Sequence, residues 1–316
     1  MTDAQPEHKS VLLDEVLAFL ELNDQSIVID ATLGLGGHAE AILETFPFVE
    51  VIGIDQDAAA LDIAGERLSK YDKRFRSFHS NFSEIAQVAR DASVDAVDAI
   101  IADLGVSSMQ LDDVNRGFSF RSDAPLDMRM DPTSGGQTAA ELLETLEEEE
   151  IANVIYKYGE ERKSRRIAKW IVERREKGEP IQTTAELAAL VQRAVGRGPK
   201  DKIHPATRTF QALRIAVNDE LGILNKFITD SVDLLKPKGT FCVITFHSLE
   251  DRIVKQAFQK LAGKCFCPPR IPRCVCGAEK RVEILTRKPV APTEAEMNAN
   301  PRSRSAKLRV CRKLAQ

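Results

Sequence analysis

The sequence predicts an α/β protein, a doubly wound and mostly parallel sheet of Rossmann-like type with an inserted all-helical domain. Three observations predict it. Strand-like and helix-like runs alternate over the first hundred residues, the alternation stops between about Gln110 and Pro205, and it resumes in the last third. Strands that alternate with helices of ten or so residues need crossover connections, and crossovers pair strands in parallel with helices on both faces.

The elements follow in order. Ser26–Asp30 reads as a buried strand and Gly37–Thr45 as a helix. Val49–Asp55 is a second strand, after which Asp57 can cap a helix over Ala58–Lys70. Phe75–His79, a helix over Ser83–Ala92 and a strand over Val97–Asp103 complete the first part. A Gly/Pro-rich stretch (Gly117, Pro125, Pro132, Gly135, Gly136) opens the insertion, and Leu142–Tyr158, Glu161–Lys177 and Thr184–Val195 have helical periodicity. Beyond Pro205, helical periodicity spans Thr207–Leu235 and ends at Lys236-Pro237-Lys238-Gly239. Thr240–Phe246 reads as a strand. Ser248 with Asp251 has the capping-box pattern for the next helix, and Arg281–Thr286 and Ala306–Arg312 are candidate closing strands. The expected domains are 1–109 and 206–316, together forming the sheet domain, and 110–205, the insertion.

The 316 residues are 43% hydrophobic and 29% charged, which excludes collagen-like, low-complexity and wholly disordered classes. No uncharged apolar run approaches the ~18 residues of a membrane span. The polar, acidic amino terminus lacks the pattern of a signal peptide, so no membrane partner is expected. Six cysteines without an export signal fit a reducing cytoplasm. The net charge of −4 conceals a division: residues 1–150 carry 10 Lys/Arg against 31 Asp/Glu, and residues 151–316 carry 34 against 17. An electropositive half suits a polyanionic partner.

The strongest local signal is Asp30-Ala31-Thr32-Leu33-Gly34-Leu35-Gly36-Gly37-His38 at a strand-to-helix junction. Glycines permit a tight turn and close approach of a ligand, and the helix start offers unpaired N–H groups. Gly34, Gly36 and Ala39 satisfy the dinucleotide fingerprint, and Asp55 stands 21 residues after Gly34, where a carboxylate can receive ribose hydroxyls. That much serves NAD or S-adenosylmethionine equally. Asp30 favours the latter, because a carboxylate there suits a cationic amino-acid moiety and opposes a pyrophosphate. So does the polar strand tip Asp103-Leu104-Gly105-Val106-Ser107-Ser108. Phe82 can contact an adenine or belong to the core.

At this point the sequence resembles a known family. The run Asp30–His38, the stretches Asp103–Asp112, Arg116–Phe120, Pro125–Met130, Tyr158–Arg162, His204–Gln211, Phe246–Arg252 and Asn300–Ser305 all look like the RsmH family, also called MraW, over essentially the whole chain. The resemblance implies a class I S-adenosylmethionine-dependent methyltransferase that methylates N4 of a decoding-centre cytidine in 16S ribosomal RNA of the small subunit. It implies a cofactor site formed by the backbone at Gly36, Gly37 and His38, with Asp55, Phe82, Asp103 and Gln110. A homodimer is left open.

The residues also bear on the chemistry. An exocyclic amine is a poor nucleophile that must be aligned and relieved of a proton, with no covalent intermediate. C5 methylation would need a cysteine at a strand tip; the Asp103 tip has none, and Cys242 falls inside a strand as a small core residue. Asp103 is the first choice for the group at the amine, and His247, at the end of the fifth strand, can orient the base, relay a proton or be structural. Arg208 and Arg214 are candidate phosphate contacts and Phe210 a base-stacking or core residue. Arg302 and Arg304 begin a basic run through Lys307, Arg309, Arg312 and Lys313, patterned like the solvated face of an edge strand; simple solubility competes, and contact with the RNA backbone is the preferred reading.

Cys265, Cys267, Cys274 and Cys276 give C-x-C-x6-C-x-C in a Pro-rich loop. Four thiolates could hold zinc, with free thiols and reversible disulfides as competing readings. Methyl transfer itself needs no metal. Two other functions compete with the leading one: a non-catalytic RNA-binding assembly factor that retains the pocket, and an NAD-dependent oxidoreductase, against which Asp30 and Asp103 argue.

Overall fold

A computed structural model describes residues 10–196, 204–268 and 275–315. Its strands are β1 (Ile27–Asp30), β2 (Glu50–Asp55), β3 (Phe75–His79), β4 (Val97–Asp103), β5 (Leu235–Thr245), β6 (Val282–Ile284) and β7 (Lys307–Lys313). They form one sheet in the order β3-β2-β1-β4-β5-β7-β6, with β1 to β5 parallel and β7 antiparallel to both its neighbours. Strand neighbours point to opposite faces. Ile29, Ile52, Ile100 and Val243 accordingly enter one hydrophobic layer, and Val28, Val51, Ile101 and Cys242 the other. A sheet covered on both sides needs unbroken apolar strands, which is why these runs do not alternate with polar residues.

The chain falls into two compact units, Met1–Gly105 with Leu221–Gln316, and Val106–Glu220. In the first, α1 (Leu13–Phe19), α2 (Gly37–Thr45) and α3 (Ala58–Leu68) bury Val16, Ile42 and Leu68 on one face of the sheet. The short helix α4 (Ile85–Asp91) buries Ile85 and Val88 on the other. Asp57 caps α3 as expected, its carboxylate accepting the Ala59 N–H at 3.2 Å.

The second unit holds α5 (Ser108–Asp112), α6 (Ala139–Thr145), α7 (Glu148–Gly159), α8 (Ser164–Glu176), α9 (Thr184–Val195) and α10 (Thr207–Asn218) around a core that includes Leu143, Ile151, Ile155, Ile167, Leu187, Val191 and Leu213. Two expected continuous helices are broken. Leu142–Tyr158 is divided because Leu146 is extended and Glu147 starts α7, its N–H donating to Glu150 Oε2 at 3.0 Å. Thr207–Leu235 is divided at Asp219, which ends α10 in the left-handed region at φ 48°. The apolar period runs through both breaks because the helices on either side bury residues. Helix α10 buries Phe210 and Leu213 in the helical core, so this unit reaches Glu220 rather than Pro205. Helices α7 and α10 come together where a Cβ on Gly159 would stand 2.4 Å from the Arg208 carbonyl oxygen, leaving no room for a side chain.

In the first unit the chain continues with α11 (Leu224–Leu234), α12 (Ser248–Leu261) and α13 (Glu294–Ala299). Phe227 and Phe258 pack on Phe241 of β5. Strand β7 lies between β5 and β6, so the expected edge strand is an interior one. Its arginines are correspondingly committed: Arg309 is buried and its Nε donates to Asp251 Oδ1 at 2.6 Å, while Arg312 pairs with Glu21.

Candidate active site

The strand order reverses between β1 and β4, and in open parallel sheets the crevice at such a reversal receives ligands. The loop leaving β1 is pinned from both sides. The Ala31 N–H donates to Ile101 O, and the Leu33 N–H to Ile54 O, each at 2.8 Å. Gly34 (φ 51°) and Gly36 (φ 79°) make the turn in the left-handed region, where side-chain-bearing residues are strained. Gly36 is the N-cap of α2, so the first-turn N–H groups, including those of Gly37 and His38, have no carbonyl of their own helix to bond. The His38 ring is directed elsewhere, with Nε2 3.0 Å from Val11 O. What His38 can offer a ligand is backbone.

Three carboxylates stand at adjacent strand tips. Asp55 Oδ2 accepts the Gly34 N–H at 2.7 Å and Oδ1 the Asp57 N–H at 2.8 Å, which fastens the glycine loop to the end of β2. Burial nevertheless holds its pKa above the usual range. Asp30 is 1% exposed; its Oδ1 accepts the Thr32 N–H at 3.3 Å, and its Oδ2 is buried with no partner. Burial raises its pKa to about 7; the Thr32 N–H opposes the shift and the charge of Asp55 adds to it. Asp103 is raised well above the carboxylate range by burial, then by Asp30 and Glu250, and its Oδ1 also lacks a partner. Buried carboxylate oxygens without donors are costly. A ligand bearing positive charge removes that cost, and a sulfonium with an attached ammonium group fits the donor set where a pyrophosphate does not.

Phe82 follows β3, half-buried, with its ring edge-on to Phe227 at 4.8 Å. Asn81 precedes it, accepting the Ser83 N–H and donating to Gln56 Oε1. Gln110 belongs to the helical unit, where its side chain accepts the Ser107 N–H at 3.1 Å in the capping box of α5.

The expected cap of α12 needs correction. His247, not Ser248, is the N-cap, and its partner is Glu250, not Asp251. Glu250 is 2% exposed, and its Oε2 accepts the N–H groups of Phe246 (2.8 Å) and His247 (3.2 Å). His247 Nδ1 faces the Glu250 N–H at 3.4 Å, and Nε2 lies 3.0 Å from Glu250 Oε1. His247 is thus held by the carboxylate whose charge raises the Asp103 pKa. Sequence reasoning missed Glu250 and Thr32; the second accepts the Asp103 N–H on its Oγ1 at 2.6 Å. A hydroxyl inside a glycine loop, two residues after a strand-end aspartate, was the available signal for Thr32.

The candidate RNA contacts fare unevenly. Phe210 is 4% exposed and packs edge-on to Phe120 at 4.9 Å, so it is a core residue and cannot stack a base. Arg214 is held by Glu220 through two 2.8 Å hydrogen bonds in a largely buried pair, which occupies the fork that would grip phosphate. Arg208 is half exposed, with Nη1 3.8 Å from Glu161 Oε2. Arg302 and Arg304 are exposed on a short turn, Pro301–Ser305, ahead of β7. The richer cationic surface lies elsewhere: Arg162, Lys163, Arg165, Arg166 and Lys169, at and just before the start of α8, are all exposed, and Arg166 stacks on Trp170 at 4.7 Å.

Cys242 is fully buried in β5, its thiol pushed up to about 12 by burial, as a core residue and not a nucleophile. Cys265, Cys267 and Cys276 come together in one group, whereas Cys274 lies outside the described residues.

Fold and site together define the class, a methyltransferase of Rossmann-like architecture whose methyl donor is S-adenosylmethionine. Within that class the chain belongs to the MraW methylase family, whose model matches residues 5–314. Its relatives include the ribosomal RNA small subunit methyltransferase H of Geotalea uraniireducens, 52% identical over 309 residues and covering 97% of this chain and 98% of that protein. Proteins of the same name from Geobacter sulfurreducens (51% identity; 97% and 99% covered) and Clostridium botulinum strain Kyoto (48%; 98% and 99%) are similar over the same span.

Proposed function

We propose that this protein transfers a methyl group from S-adenosylmethionine to the exocyclic N4 amine of a decoding-centre cytidine in 16S ribosomal RNA. The observation that carries the donor half of this reading is the pair of unpartnered, buried carboxylate oxygens on Asp30 and Asp103 at the strand-order reversal. The family and the names of its relatives support the ribosomal RNA half.

The donor, when bound, supplies an electrophilic methyl group carried on sulfur. The backbone at Gly36, Gly37 and His38, with Asp30, Asp55 and Phe82, would hold it. The Asp30 carboxylate meets the amino-acid cation, and Asp55, already ordered by the Gly34 N–H, receives ribose hydroxyls through its remaining lone pairs. Asp103 Oδ1 orients the cytosine amine by accepting an N–H hydrogen bond, and takes the proton the amine must shed. The positive charge of the bound donor favours the ionised form of this buried carboxyl, which is the form that accepts the proton. His247, held against Glu250, orients the base. Positioning supplies most of the rate.

C5 transfer is disfavoured by the same geometry, because the cysteine nearest the site in sequence, Cys242, is a protonated core thiol. The exposed cations available to RNA are Arg208 and the group at the start of α8 in the helical unit, and Arg302 and Arg304 in the sheet unit. An enzyme acting on ribosomal RNA works in the cytoplasm; among the described residues no helix is long and apolar enough to cross a membrane.

The test is labelled methyl transfer to small ribosomal subunits from cells lacking this protein, followed by nucleoside analysis. N4-methylated cytidine is the expected product. Label in 5-methylcytidine, or none in RNA, would overturn the reading.

A further inference from the structure

We propose that Cys265, Cys267 and Cys276 are ligands of a zinc ion that closes the loop between α12 and β6, independently of methyl transfer. The three sulfur atoms lie within 4.8 Å of one another, and Cys276 Sγ is 3.8 Å from Cys265 Sγ. A tetrahedral site with zinc–sulfur distances of about 2.3 Å has sulfurs about 3.8 Å apart along each edge. The spacing across an eleven-residue separation is therefore that of two ligands to one ion.

The backbone supports the same assignment. The Phe266 N–H points to Cys276 Sγ at 3.5 Å, the Cys267 N–H to Cys265 Sγ at 3.4 Å, and the Val275 N–H to Cys267 Sγ at 3.3 Å. Each sulfur so receives one amide donor, and the donors come from both arms of the loop. Neutral thiols are weak acceptors that do not repay such an arrangement. Thiolates do accept N–H groups well, and hydrogen bonds of this kind are the outer support of metal–sulfur centres. Three neighbouring thiolates repel one another unless a cation stands among them. The group contains only sulfur donors, which select a soft or borderline ion; hard cations such as magnesium and calcium want oxygen. A divalent ion leaves a residual charge of one, and zinc imposes no redox chemistry on an enzyme that needs none.

The site would also have a mechanical task. The neck of this loop is closed by an antiparallel bridge between Ala262 and Lys280 and by the Arg281 N–H donating to Leu261 O at 2.7 Å. Long connections are costly to order. The cysteines add a second closure beyond the neck, which holds the exposed Phe266, with Lys264 Nζ 5.2 Å from its ring centre, in a fixed place.

The test uses the full-length protein, expressed without a metal-binding tag and purified anaerobically with a thiol reductant. Metal analysis is expected to give about one zinc per chain. Replacement by cobalt should give the visible d–d bands and near-ultraviolet sulfur charge-transfer absorption of a tetrahedral thiolate site. Cys265→Ser with Cys276→Ser should abolish both signals, while the far-ultraviolet circular dichroism and S-adenosylmethionine affinity stay at their original values. The proposal is overturned if the unmodified protein carries no zinc and all three thiols alkylate freely. A Cys265–Cys276 disulfide as the purified state, a different stoichiometric metal, or zinc retained by the double variant would each overturn it as well.

Discussion

The backbone N–H of Asp103 donates to Thr32 Oγ1 across 2.6 Å, joining the tip of β4 to the glycine loop that follows β1. The loop is already fastened to β2 through Asp55, so this hydroxyl completes a tie across three strand tips. Thr32→Val keeps the shape and removes the acceptor. An amide left without a partner costs about 1–3 kcal/mol, so both the unfolding temperature and the affinity for S-adenosylmethionine should fall. Thr32→Ser should restore both. Thermal unfolding and calorimetric titration of the two variants check this, and unchanged donor binding in Thr32→Val would refute the positioning role.

Asp30 gives the site a pH dependence whose sign is fixed. Its folded-state pKa, about 7, lies above the ordinary 3.8. The folded, donor-free protein therefore holds a proton that the unfolded chain releases between about pH 4 and 7. This contribution to stability is complete below about pH 4 and is lost as the pH rises through 7. Donor binding has the opposite preference, because a cation wants the ionised carboxylate. The ionised fraction rises from roughly a tenth at pH 6 to nine-tenths at pH 8, so donor affinity should rise about tenfold over that range. Asp30→Asn should flatten both profiles. A donor affinity that does not move between pH 6 and 8 in the unmodified protein would remove Asp30 from the cationic end of the site.

Asp103 is assigned two tasks, and they separate experimentally. Asp103→Asn retains shape and can still receive a hydrogen bond on its amide oxygen, but it cannot take a proton. Turnover on ribosomal subunits should fall by about 10²–10⁴, the range for loss of a general base, with a smaller change in donor affinity. If turnover stayed near its original value, the proton would have to leave by another route, and Asp103 would serve the cofactor alone.

Much of this site was legible because its logic is local. A strand that ends in Asp, a glycine turn and a helix start are contiguous in Asp30–His38, and the spacing to Asp55 follows from one crossover. The tie from Asp55 to Gly34 was not stated by the sequence, yet those two residues had already been singled out. What failed depended on partners distant in the chain. Phe210 and Arg214 have the residue types of RNA contacts, but Phe120, 90 residues earlier, makes one of them core and Glu220 neutralises the other. Arg309 and Arg312 of the basic carboxy-terminal run are diverted for the same reason, since β6 and β5 enclose β7 and these two arginines pair with Asp251 and Glu21. The cap of α12 was misassigned by one residue, because Ser248 is the commoner N-cap type and the His247–Glu250 pairing uses a ring nitrogen for a role that hydroxyls usually take.

That relocation of charge separates stability from RNA binding. Arg309 and Asp251 form a pair in which both side chains are at most 15% exposed. Removing Arg309 leaves Asp251 with only Lys307 Nζ, 3.6 Å away, as a cationic partner, so Arg309→Met should lower the unfolding temperature. It should leave the dependence of RNA affinity on salt unchanged, because Arg309 never faced phosphate. The triple variant Arg162→Ala, Arg165→Ala, Arg166→Ala should behave in the opposite way. Its side chains are exposed, so the unfolding temperature should move little, whereas each lost phosphate contact reduces the slope of log affinity against log salt by about 0.7–0.9. Binding of a 16S fragment measured between 50 and 300 mM salt, about the range over which counterion release is resolved, distinguishes the two. A triple variant with the original slope would move the RNA-facing surface away from the start of α8, to Arg208 or to the turn that carries Arg302 and Arg304.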